Sequence, residues 1–141
     1  MAGSTTAWLG AAPASAEILY RETREFTHVR GGQPFTCEVE GTAFITYRNG
    51  VSDIDVRTAV EDANTGPCAP FGIRVSARYR VSGDDQVRNF SSGSEGGTGA
   101  SAQVIVDGEV IDLDVEHTVT WFCDGPGAPD LCTSSFTVNA K

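Results

Sequence analysis

Acidic side chains at alternate positions are the first feature with chemical potential. Asp112, Asp114 and Glu116 follow one another at every second residue, as do Asp53 and Asp55. In an extended chain such residues share one face and stand about 6.6–6.8 Å apart. That falls within the ~6.5–9.5 Å that separates the carboxyl groups of an inverting glycosidase. Any exposed acidic strand meets the same spacing, however. Acid catalysis near neutral pH also requires one carboxyl desolvated enough to keep its proton, and an open strand face offers no such burial. The stronger expectation is charge pairing. Arg74, Arg78 and Arg80 form a basic stripe that complements Asp112, Asp114 and Glu116 if the two strands are neighbours.

Other reactive groupings are thinner. The two histidines, His28 and His117, have no Gly-x-Ser-x-Gly elbow to supply a nucleophile, so both read as ordinary strand residues. The glycine-rich run at 93–99 lacks the Lys-Ser/Thr ending and the following helix of a phosphate-binding loop. No cofactor is expected. Calcium is a weaker option; it needs several hard oxygens converging from a loop, for which Asp84, Asp85, Asp124 and Asp130 are better placed than strand acids.

Four cysteines, Cys37, Cys68, Cys123 and Cys132, are spaced by 31, 55 and 9 positions. A four-thiolate zinc site presents two close pairs instead. Disulfides are therefore expected, and with them an oxidising compartment. Of the three connectivities, the pairing Cys37–Cys68 with Cys123–Cys132 closes the shortest loops. Residues 1–16 carry no charge and end in Ala14-Ser15-Ala16, a small-x-small cleavage form. They resemble the back half of a secretion signal without its basic start, or else a tail. A single domain over 17–141 is expected to follow.

The elements that would position these groups are strands. Phe35, Cys37, Val39, Ala43, Ile45 and Tyr47 alternate with polar neighbours through Gly41, read as a bulge or bend. Asn49-Gly50 then precedes a second alternating run, Ile54, Val56 and Val60, which signals a type I′ hairpin. Asp107-Gly108 gives the same signal between Ala102-Val104-Val106 and Ile111-Leu113-Val115. Ile73, Val75, Ala77, Tyr79 and Val81 mark another inward set, Val119, Trp121 and Cys123 a further one, and Phe136 and Val138 a last strand. Residues 18–30 are rich in strand formers but do not alternate cleanly. Three loops are expected: 61–70, a mobile 91–101 and the cysteine-bounded 124–131.

Short strands without a helical stripe read as an all-β antiparallel sandwich. Its architecture is immunoglobulin-like, but the hallmark residues are absent: no Trp lies between Cys37 and Cys68, and Trp121 stands where a Tyr is wanted.

Nineteen acidic and ten basic residues leave the 141-residue chain at a formal charge of -9, which disfavours nucleic acid and anionic lipid as partners. No apolar run reaches the ~20 residues of a membrane-spanning helix. The expected function is that of a secreted recognition module, not an enzyme, meeting an extracellular protein or glycan through loops at one end. Inhibition of a secreted enzyme belongs to that class. The alternatives are a small glycan-active hydrolase using Asp or Glu, and a structural envelope protein. Stapled loops lower the entropy cost of binding, which nominates Asp124, Asp130 and Leu131. Phe44 and Phe122 join them because both fall out of phase with the inward sets, so each needs either a partner or a cover from a loop or the N-terminal strand.

Overall fold

Alternating strands have one face to bury, and here two four-stranded antiparallel sheets bury those faces against each other. The computed structural model describes residues 16–63, 66–125 and 130–141; most of the segment read as a secretion signal lies outside them. The strands are β1 (Ala16–Arg30), β2 (Gln33–Arg48), β3 (Val51–Val60), β4 (Gly72–Val81), β5 (Arg88–Glu95), β6 (Gly99–Asp107), β7 (Val110–Phe122) and β8 (Leu131–Asn139). One sheet runs β1-β2-β3-β6 and the other β5-β4-β7-β8. The fold is thus the expected all-β sandwich, and the cysteines form the local pairs Cys37–Cys68 and Cys123–Cys132.

The inward sets supply the core. Phe35, Cys37, Val39, Ala43 and Ile45 of β2 and Ile73, Val75, Ala77 and Tyr79 of β4 are all buried, with Ile54, Leu113 and Trp121 among the largest side chains fully buried. The opposing stripes also meet. Arg80 lies opposite Asp112 and Arg78 opposite Asp114 in the β4–β7 ladder, with ion pairs of 2.8 and 3.9 Å.

Several local expectations change. Asn49 (φ 53°) and Gly50 (φ 76°) do form the β2–β3 hairpin. Asp107-Gly108 does not join a hairpin: β6 pairs with β3 and β7 with β4, so this turn carries the chain from one sheet to the other. Gly108 is needed there for closeness, since a Cβ would collide with Cγ1 of Val81. A register shift beside Val81 buries Val110 and leaves Ile111 37% exposed. Segment 91–101 is not an open loop; most of it belongs to β5 and β6. Tyr47 is exposed, not buried.

Gly41 is no bulge either, because both ladders of β2 pass it in register. The irregularity sits in β1, between Ile18 and Tyr20. It turns Ile18 outward beside Phe44 and Tyr20 inward beside Ala43, which accounts for the broken alternation of that segment.

Candidate functional site

The β1–β2 hairpin is longer than the sheet that supports it. β3 ends opposite Val39, so Gln33–Glu38 project past it and need another neighbour. The chain just beyond β3 provides one, with Glu61 donating its backbone N–H to the Glu38 carbonyl at 3.0 Å. A 3-10 turn at Gly66–Cys68 then places Cys68 for its disulfide to Cys37. The indole N–H of Trp121 donates to the Cys68 carbonyl at 3.1 Å, tying this turn to the other sheet.

From that other sheet, the chain beyond β7 reaches the tip of the same hairpin. Asp124 donates its backbone N–H to the Val29 carbonyl at 2.6 Å. Its carboxylate accepts from the N–H of Gly31 at 2.8 Å and of Gly32 at 2.9 Å. Both glycines have positive φ, 62° and 77°, which turns two successive amides toward one anion. Hydrogen bonds from Gly32 and Gly31, with Arg30 nearby, hold the Asp124 carboxyl below its usual range. The Cys123–Cys132 bridge fixes the base of this segment.

One end of the sandwich therefore gathers the hairpin tip, residues 61–63 and 66–70, and both disulfides. Phe122 stands there 40% exposed, edge-on to Phe71 at 5.3 Å, with the Arg30 guanidinium 5.7 Å above its ring. A groove of about 520 Å³ lies between the hairpin and the 3-10 turn, lined by Arg30, Gln33, Pro34, Phe35, Gly66 and Pro67.

The nominated residues divide. Phe122, Asp124, Asp130 and Leu131 lie at this end, although Leu131 opens β8 opposite Phe122 and is not part of a loop. Asp130 contributes its carbonyl, which accepts from Cys123 N–H at 3.2 Å. Positions 126–129 of the cysteine-bounded loop lie outside the described residues. Phe44 is elsewhere, eleven positions along β2 from Gln33, or roughly 35 Å. Its neighbours on the outer face are Ile18 and Asp55, and the Arg57 guanidinium lies 5.4 Å over the ring. Arginine thus caps both outward phenylalanines.

Several of the acids considered for catalysis or for calcium are engaged in pairing. Asp53 accepts from the Gln103 amide at 2.7 Å, Asp55 from Arg57, and Asp84 pairs with Arg88 at 3.6 Å. Among the described residues no group of three or more His, Cys, Asp or Glu is arranged to hold a metal ion. No helix there is long and apolar enough to cross a membrane.

His117 is more than an ordinary strand residue. It is fully buried between the sheets, with Tyr20 Oη 2.6 Å from Nε2 and Thr58 Oγ1 2.7 Å from Nδ1. A neutral ring donates to one hydroxyl and accepts from the other. Burial drives this imidazole down to about 4, outweighing the opposite pull of Glu22. Burial, aided by Glu22, drives the Tyr20 phenol upward. Both shifts lead away from neutral pH, the reverse of what proton transfer there requires. The cluster links the sheets.

Sequence reasoning missed Arg30, Phe71 and the proline pair. Pro34 and Pro67 become neighbours only through the disulfide, and Arg30 meets Phe122 only through tertiary packing. Comparison with protein-family models, with curated proteins and with solved structures finds no match for this chain.

Proposed function

We infer that the chain is a secreted recognition module that binds an extracellular protein or glycan without transforming it. The observation that carries this reading is the end built from the β1–β2 tip and from residues 61–63, 66–71 and 122–125. Two disulfides and the Asp124 carboxylate immobilise it, yet it leaves Phe122 and a proline-walled groove in solvent. Rigid loops displaying aromatic and proline surface lose little entropy when they bind. Disulfides suit an oxidising compartment, which fits secretion and the charge-free start of the chain.

The test is a binding panel of extracellular polysaccharides and secreted hydrolases, with the full chain and its bridges intact. Phe122→Ala and Pro67→Ser should weaken capture of any bound member while circular dichroism stays unchanged. Val87→Ser, at the opposite end, should not. Acid-dependent turnover of a polysaccharide, removed by Asp112→Asn or Asp114→Asn, would replace this reading with a hydrolase. Binding to nothing in the panel would favour a structural envelope role.

A further inference from the structure

We propose that the groove beside Arg30 receives a protein segment presenting a single carboxylate next to an apolar side chain. This rests on the recognition reading and narrows its partner from protein or glycan to protein. Among the described residues, Arg21, Arg24, Arg57, Arg78, Arg80 and Arg88 are in ion pairs. Arg30 is not. Among the described residues its side chain has no ion pair and no hydrogen bond, although the protein carries a charge of -9. Its near acid, Asp124, spends both carboxylate oxygens on the amides of Gly31 and Gly32. The guanidinium nonetheless has a neighbour, since it lies 5.7 Å over the Phe122 ring. A cation over a ring face keeps its N–H groups, and a guanidinium can fork a carboxylate with them.

The walls choose the rest of the ligand. Pro34, Pro67 and the rim of Phe35 are apolar, and Gln33 adds an amide that can meet a peptide backbone. The Cys37–Cys68 bridge joins the two sides, so the groove is formed before a ligand arrives. A polyanion such as a uronate chain would repeat its charge across a surface that also carries Asp124, Asp130 and Glu61, and the summed field opposes it. One carboxylate flanked by hydrocarbon matches one guanidinium flanked by prolines.

The experiment is an NMR titration of the ¹⁵N-labelled full chain, disulfides intact, with acetyl-Leu-Glu-Leu-amide and the matched acetyl-Leu-Gln-Leu-amide. The acidic peptide should shift the amides of Gly31, Gly32 and Gln33 and the Arg30 Nε–H. It should bind about five-fold more tightly than its neutral twin, the scale of one exposed ion pair. Arg30→Gln should erase that difference without disturbing distant resonances. Equal shifts with both peptides would overturn the carboxylate assignment and leave the groove as a recognition site. No shift at the groove with millimolar peptide would overturn the proposal outright, while the Phe122 and Pro67 variants still judge the broader reading on their own. Stronger shifts from a uronic-acid trisaccharide would also overturn it and give the site to acidic glycans.

Discussion

Gly41 faces the ring of His117 so closely that a Cβ at position 41 would stand 2.5 Å from both Cδ2 and Nε2. The two residues belong to opposite sheets, and the missing side chain of one makes room for the imidazole of the other. The ring then spans the sandwich, reaching Tyr20 on β1 and Thr58 on β3. A polar group buried this deeply is tolerable only because both nitrogens are satisfied.

Gly41→Ala should therefore overpack the core beside a ring that its two hydroxyl partners hold in place. The expected loss is about 1–3 kcal/mol, or a melting temperature lower by roughly 3–10 °C for a chain of this size. In a His117→Ala background the same change should cost much less, because the obstructing ring is gone. A double-mutant cycle from denaturant unfolding measures that coupling. Additive costs would mean that the ring moves aside without penalty.

The protonation of His117 gives a pH signature. Its folded value is about 4 against the ordinary 6.5, so between these limits the unfolded chain binds a proton that the folded chain refuses. Stability is greatest above 6.5, falls as pH drops toward 4, and levels off below it with respect to this group. The full span corresponds to about 3 kcal/mol. Unfolding free energies across this window should show the slope in the parent protein and lack it in His117→Gln.

The two bridges should contribute unequally. Cys37–Cys68 spans a sequence separation of 31 and Cys123–Cys132 one of 9. Loop-closure entropy then gives about 3.7 kcal/mol for the first and about 2.6 for the second. Cys37→Ala with Cys68→Ala should lower the denaturant midpoint more than Cys123→Ala with Cys132→Ala does. The first pair should also loosen the Trp121 indole, whose N–H donates to the Cys68 carbonyl, and red-shift its fluorescence. Equal midpoints would point to residual structure in the unfolded chain.

Most strands were legible because burial on one face enforces a period of two, and the inward sets of β3 and β4 follow it without a break. Turn chemistry was legible only locally. Asn49-Gly50 and Asp107-Gly108 both reverse the chain, but a turn signal does not say whether the next strand joins the same sheet. The serine- and glycine-rich segment at 91–101 looked mobile because composition is blind to ladder hydrogen bonds. β5 gains those bonds from β4 whatever its side chains are. Of the candidate site, the cysteines, Asp124 and Phe122 could be nominated from sequence. Arg30 could not, since nothing in its neighbours predicts that Asp124 would bind the adjacent glycine amides and that, among the described residues, the guanidinium would have no ion pair.

The Asp124 clamp yields the last prediction. Two backbone amides converge on one carboxylate, and its acidity is strengthened by the bonds it receives. A carboxylate held this way favours the folded state above its unfolded pKa and loses that contribution as pH falls below the ordinary 3.8. This window lies beneath that of His117, so the two effects separate on a pH scale. Asp124→Asn keeps the shape but offers one acceptor oxygen where two were used, so one glycine amide loses its partner. Hydrogen exchange at neutral pH should then accelerate at Gly31 or Gly32 while core amides such as Val75 and Val115 keep their protection. Asp124→Ala should expose both. If both glycine amides exchange as slowly in Asp124→Ala as in the parent, the hairpin tip is held by the Asp124–Val29 backbone bond and the bridges alone, and the carboxylate is not what fixes the stapled end.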